Sequence, residues 1–367
     1  MKQIWKWILG GIGGIAILAL LIVGGYAVYL LVQYERIPDG QALTVEGSPA
    51  EKLEAGKTYT ALTWNVGFGA YNHDFSFFMD SGTMLDGTKV QGTGSRAESR
   101  AVVETNIGGA AKTLAELQPD LILLQEVDEP SDRSHDVDER QWLADTFPGY
   151  SAVYASNFHS AYLFYPILNP HGQVNSGILT LSAFAVDEAV RRSYPVDESF
   201  PTKFFDLDRC FSVERLPVAN GRELILINSH MSAYDEGGLV RAAQMEMLCQ
   251  VLSEEAGKGN YIIVGGDFNH ALCGTEETFA SEQQVPEWVY PFDESLLPEG
   301  FSVVRAENLT EVATCRSTDL PYDKGVNYTT VLDGFIVSDN VKAVAENLDT
   351  DFLYSDHNPV LLTFTLE

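Results

Sequence analysis

Six apolar runs in this chain each deliver, or begin from, a residue with a strong preference for water. "TALTWNV" delivers Asn65 and "DLILLQEV" delivers Glu126. "LILINSHM" delivers His230, with Asn228 just ahead of it, and "YIIVGGDFN" delivers Asp267 and Asn269. "TVLDGFIV" carries Asp333 inside an apolar run, and "YSDHNPVLL" sets Asp356 and His357 before the last one. Runs of this length and composition between turn signals read as buried strands. "SGILTLSAF" adds a seventh strand, and residues 96–117 and 239–255 carry helical patterns. Alternating strands and helices without a Pro/Gly/Ser-rich divider predict one α/β domain over residues 58–367.

Singly, each polar residue has a plain explanation as a turn former, a solvated edge or a surface histidine. Together they require another. Carboxylates are seldom brought against apolar strands without a partner or a cation. Hard oxygen ligands suit Mg²⁺, with Mn²⁺ and Ca²⁺ as alternatives, and do not suit zinc. Two histidines beside them supply proton transfer near neutral pH. Carboxylates, a divalent cation and histidine are the means of phosphate-ester hydrolysis.

In order and wording, "WNV", "LQEV", "SGILTLS", "NSHM", "GGDFN", "LDGFIVS" and "SDHNPV" resemble the endonuclease/exonuclease/phosphatase superfamily. The phrases "FFDLDRCFSVERLPV" and "NSHMSAYDEGG" look most like its bacterial RgfB-like branch. The resemblance implies a DNase I-like four-layer α/β sandwich, two packed, mostly antiparallel sheets flanked by helices. It further implies that Asn65, Glu126 and Asp356 surround the metal, and that Asp267 and Asn269 activate or orient water and hold the phosphate. By the same resemblance His230 meets phosphoryl oxygens or the leaving group, Asp333 polarises His357, and Arg209 contacts phosphate. Asn175 and Asn228 are further substrate-binding candidates from their places beside these strands. The reaction implied is hydrolysis of a phosphodiester or phosphomonoester, with a small phosphoester or lipid headgroup favoured. A metal-dependent nuclease is the alternative, and a non-catalytic sensor or binding domain the alternative of another class.

Residues 7–32 contain no charged side chain, a run long enough to cross a hydrocarbon core of about 30 Å. It exceeds the apolar part of a signal peptide and lacks a cleavage site, so an uncleaved anchor over residues 1–36 is expected. Lys2 and Lys6 precede the span, whereas Arg36 is offset by Glu35 and Asp39. That bias places the N-terminus in the cytoplasm and the domain outside it, behind a tether of residues 37–57. The formal net charge of −29 repels polyanions at long range and weighs against a dedicated nucleic-acid binder. Four cysteines without a CxxC pair exclude a disulfide scaffold and a thiolate zinc site; Cys273 and Cys315 are the candidate pair in an extracytoplasmic domain.

His270 is weighed equally as a substrate contact and a loop residue, while His73, His135, His159 and His171 read as structural. "DEPSDRSHDVDER" reads as a solvated acidic loop and helix cap, and Phe164 and Tyr165 as core. No exposed apolar loop suited to lipid docking is expected.

Overall fold

The computed structural model describes residues 2–200, 202–204, 206–233 and 239–367, with only the backbone of Lys2. Residue 205 and residues 234–238, within the two phrases that suggested the RgfB-like branch, lie outside the described residues.

Four helices are described: α1 (Lys2–Gln33), α2 (Arg100–Leu117), α3 (Glu139–Thr146) and α4 (Leu239–Gly257). The strands of the two large sheets begin with β1 (Gln41–Ala42), β2 (Val45–Glu46), β3 (Thr58–Asn65), β4 (Leu121–Asp128) and β5 (Ser151–His159). They continue with β6 (Asn175–Ser182), β7 (Glu188–Ser193), β8 (Cys210–Pro217), β9 (Glu223–His230) and β10 (Tyr261–Asp267). The last four are β11 (Phe301–Val303), β12 (Asp333–Ser338), β13 (Val341–Asn347) and β14 (Val360–Leu366). One sheet runs β1-β7-β8-β9-β10-β12-β11 and the other β13-β14-β3-β4-β6-β5-β2.

All pairings are antiparallel except one at the heart of each sheet, β9 with β10 and β3 with β4. A parallel neighbour needs a crossover. α4 supplies it for the first pair and α2 for the second. Ser99 caps α2 by accepting from the Val102 amide, and Gln118 closes it in a left-handed conformation.

Side-chain alternation divides the apolar strands between two neighbours. Leu121 and Leu123 meet Leu224, Leu226, Ile263 and Phe335 between the sheets. Ile122 and Leu124 face outward onto Ile107, Leu114 and Leu143 of α2 and α3. Ile225, Ile227, Ile262 and Val264 likewise face Met245, Leu248 and Leu252 of α4. Helix, sheet, sheet and helix therefore form four layers, and strands buried on both faces read as unbroken apolar runs.

Residues 37–57 are not the loose tether expected. β1 closes an edge of one sheet on β7, β2 closes an edge of the other on β5, and Leu53 is fully buried between the sheets. Among the described residues one helix, spanning Gln3–Gln33, is long and apolar enough to cross a membrane. Its last turns pack on the domain through Tyr26 and Leu30. Phe164 and Tyr165 are exposed rather than core, on an apolar loop that the sequence reading did not anticipate. All four cysteines are free thiols.

Candidate active site

The alternation that builds the core also builds the site. On β9, Leu224, Leu226, Asn228 and His230 share the face toward the opposite sheet; on β10, Tyr261, Ile263, Gly265 and Asp267 do so. On β12, Asp333 follows the same rule with Phe335 and Val337, and on β3 Asn65 follows it with Ala61 and Thr63. The space between the sheets thus passes from leucine at one end, through Thr63, Gln125 and Asn228, to a charged cluster at the other. Register aligns that cluster: Cys210 lies opposite His230, His230 opposite Asp267, and Asp267 opposite Asp333.

The two glycines of "VGGD" permit this. A Cβ on Gly265 would meet the Phe335 ring at 2.6 Å. One on Gly266 would stand 1.9 Å from the Ser229 carbonyl oxygen, so β9 and β10 could not approach. Glu126 depends on a bulge instead. The β4–β6 register shifts between Leu124 and Val127, and Glu126 takes φ of +54°, which turns its carboxylate toward the strand end. Such bulges re-aim side chains beside functional sites.

Asn65 Nδ2 donates to Glu126 Oε1 at 3.2 Å and to Asp267 Oδ2 at 3.1 Å, joining the sheets. Its Oδ1 accepts from the Gly67 amide. Asp267 Oδ1 accepts from the Asn269 amide at 2.8 Å, and Asn269, also at positive φ, donates its side chain to the Met231 carbonyl. His230 Nε2 lies 3.9 Å from Glu126 Oε1 and 3.7 Å from Asp267 Oδ2. His357 Nε2 lies 3.8 Å from the same Asp267 oxygen. Glu126, Asp267, His230 and His357 therefore converge on one point.

His357 Nδ1 donates to Asp333 Oδ2 at 2.8 Å. Burial alone would depress the imidazole, but the Asp333 carboxylate raises it well above its ordinary value, so the pair is imidazolium against carboxylate. His230 is the opposite case. Burial, then the Arg209 guanidinium and His357, lower it well below the usual range, so it is neutral. Arg209 Nη1 donates to its Nε2 at 2.5 Å, while Arg209 Nε is buried without a partner. A guanidinium facing a neutral histidine is a donor prepared for an anion. Burial, with Glu126 adding to it, pushes Asp356 up to about 7 against the opposing pull of His357. Its Oδ1 accepts from Ser355 at 3.3 Å, and its main chain pairs with Arg316.

Asp267, Asp333 and His357 bring three ligand atoms within 4.8 Å of one another. Asp333 and His357 are already bonded to each other, however. Glu126, a partly exposed carboxylate that accepts from the Asn65 amide and lies near Asp356, fits a hard cation better.

Two substrate-binding candidates have their side chains bonded to other protein groups. Asn228 is fully buried, accepts from Gln125, and donates to Leu124, Leu179 and Thr180, so it offers nothing to a substrate. Asn175 bonds His159 and the Pro130 carbonyl at the outer end of β6. The remaining histidines are also engaged: His73 with the Asp351 carbonyl, His135 with the Ala97 carbonyl, His171 with the Ser95 carbonyl, and His270 with the Phe268 carbonyl.

Asn157 escaped the sequence reading. It sits fully buried at the bulge in β5, 3.4 Å from His230 Nδ1, with its Oδ1 unpartnered. Its signal was an Asn inside the alternating "SAVYASNFH" run. Behind Glu126, the expected solvated loop is instead a buried network. Arg133 grips Asp128 through two bonds and stacks 3.9 Å above Phe68, Ser134 donates to Asp128, and the Asp128 amide donates to buried Glu139. Only the cap was as expected, Asp138 accepting from the Gln141 amide of α3.

The chain matches the Endonuclease/Exonuclease/phosphatase family over residues 62–357. Among solved structures, a family protein from Leptotrichia buccalis is 17% identical, with 84% of this chain and 100% of that one covered at a TM-score of 0.54. ANGEL2, a 2',3'-cyclic phosphatase in complex with adenosine-2',3'-vanadate, is 16% identical, covering 89% and 99% at 0.53. D. rerio TDP2, complexed with single-strand DNA product, is 15% identical, covering 84% and 99% at 0.50. At these identities the likeness concerns the fold, which is DNase I-like. No curated protein matches the sequence.

Proposed function

Since the chain belongs to the endonuclease/exonuclease/phosphatase family, we propose that it is a membrane-anchored, divalent-metal-dependent phosphoesterase acting by in-line attack of water. The observation that carries this reading is the meeting of Glu126, Asp267, His230 and His357 within 4 Å contacts across two sheets. A cation such as Mg²⁺, held by Glu126 with Asn65 and Asp356 around it, would neutralise charge on the phosphoryl group and the leaving oxygen.

Each protein group has a part in the displacement. Asp267, oriented by the Asn65 amide and the Asn269 N–H, holds and deprotonates the attacking water. Arg209 transfers its hydrogen bond from His230 to a phosphoryl oxygen, which is electrostatic stabilisation by a donor already in place. His357, kept protonated by Asp333, adds positive charge at the same group. α1 fits a membrane span with the N-terminus cytoplasmic and the domain outside. A small phosphoester or a lipid headgroup is therefore the favoured substrate over a polyanion repelled by a charge of −29.

The test is a panel of sphingomyelin, phosphatidylinositol phosphates, nucleotides and plasmid DNA, each with Mg²⁺ and with EDTA. Metal-dependent turnover of one class, lost by roughly 10²–10⁴-fold in Glu126→Ala, Asp267→Ala and His357→Ala, is expected. Turnover that persists in EDTA or in any of the three refutes the proposal. The nuclease alternative predicts DNA binding that weakens steeply with salt. A sensor domain predicts no turnover, against which the full polar set stands.

A further inference from the structure

The loop between β5 and β6 exposes Phe164 (56%), Tyr165 (67%), Ile167 (83%) and Leu168 (99%) in near succession. Four large apolar side chains on one turn of chain exceed the scattered exposure normal for a protein surface. The turn is held in shape, because the Leu163 and Gly172 backbones pair across its base and the Asn169 amide bonds the Pro166 carbonyl. Tyr165 leans on Phe78, while Leu163 packs inward with Phe158 and Val174.

Its position indicates what covers it. Tyr26 of α1 donates its hydroxyl hydrogen to the Tyr162 carbonyl at 3.1 Å, and the Tyr162 amide donates to the Tyr29 hydroxyl at 3.0 Å. The Phe164 ring stands edge-on to Tyr26, with centroids 5.3 Å apart. Tyr26 lies seven residues before the end of α1 at Gln33, or about 10 Å along the helix axis. The loop is therefore beside the apolar part of the helix, below the level at which the chain leaves it. Where α1 exits, polar contacts begin: Arg36 pairs with Asp208 at 3.2 Å, and Lys203 lies over the Tyr34 ring. Loop and helix thus meet through aromatic side chains, and the first charged contacts come where α1 ends.

We infer that residues 164–168 enter the boundary between headgroups and acyl chains of the bilayer that α1 crosses, fixing the catalytic domain against the lipid surface. This rests on the reading of α1 as a membrane span. The depth implied, about 10 Å, matches the burial of interfacial amphipathic segments. The occupant is a lipid surface rather than a second copy of the chain, because the apolar patch extends directly into the helix. Insertion would be driven by apolar burial, since residues 164–168 carry no charge.

The test uses the full chain in phosphatidylcholine vesicles, with the partly exposed Cys249 and Cys273 replaced by serine. Single cysteines at Leu168, at Ile17 in mid-helix, and at Val344 on the far edge of its sheet receive a nitroxide. Collision with oxygen and with a water-soluble nickel complex is then measured. The expected result is high oxygen and low nickel accessibility at Leu168 and Ile17, with high nickel accessibility at Val344. A nickel-accessible Leu168 beside a lipid-exposed Ile17 overturns the inference alone. Shielding of Leu168 from both reagents also overturns it, since a protein partner would then cover the loop. A nickel-accessible Ile17 overturns the membrane-span reading itself.

Discussion

Glu214 lies on β8 between the sheets, where Ser212 and Thr180 favour its charged form too weakly to offset its burial. Burial pushes its carboxyl up to about 8, against about 4.3 in an unfolded chain. A raised folded-state value means that its stabilising effect is whole below pH ~4.3 and is lost as pH rises to about 8. The loss proceeds at up to about 1.4 kcal/mol per pH unit. Glu214→Gln removes the proton without changing the shape. Its stability advantage over the parent should grow by several kcal/mol between pH 5 and pH 8. Urea unfolding of both proteins at the two pH values checks this, and a gap independent of pH contradicts it. Asn157 concerns activity instead. Its side-chain amide lies 3.4 Å from His230 Nδ1, which carries the ring proton because Nε2 accepts from Arg209. Asn157→Ala should lower kcat on the order of 10²-fold through misplacement of that pair, with folding intact by circular dichroism. Unchanged kcat would remove Asn157 from the site.

At the level of elements, what could be read in the sequence was set by how many faces each element buries. β4, β9 and β10 are apolar on both faces, so their runs and the polar groups at their ends were legible. β5 alternates buried and half-exposed positions from Ser151 to Asn157, and no apolar run announced it or Asn157 upon it. α3 was hidden because its buried Glu139 belongs to an ion network that composition alone presents as a solvated charge cluster. Asn228 misled for a related reason: a polar residue two positions before His230 shares its face but lies deeper between the sheets. The glycines of "VGGD" were visible, yet their task was not, because it depends on which strand lies alongside. Gly266→Ala places a Cβ against the Ser229 backbone, which no rotamer can relieve. A loss of at least about 3 kcal/mol is expected, the scale of severe single substitutions. Gly257→Ala, with no atom within 4 Å of the added carbon, should stay within about 0.5 kcal/mol. Equal urea midpoints for the two variants would show that β9 and β10 can separate without harm.

On the scale of the whole molecule, residues 41–57 act as a strap between the sheets. β1 covers the open edge of β7, β2 covers that of β5, Leu53 fills the core beside Val218, and the Gly56 amide bonds the Leu366 carbonyl. Uncovered strand edges invite pairing with other chains. A chain beginning at Tyr34, which lacks α1 but keeps the strap, should fold as a monomer, with a urea midpoint lowered only by loss of the Leu30 contacts. A chain beginning at Thr58 leaves both edges bare and a cavity where Leu53 stood, a loss of about 2–5 kcal/mol for the side chain alone. Size-exclusion chromatography should show it as aggregates, and its soluble fraction should unfold at lower urea. If both truncated chains run as monomers with equal midpoints, the strap contributes nothing. The domain would then begin at residue 58.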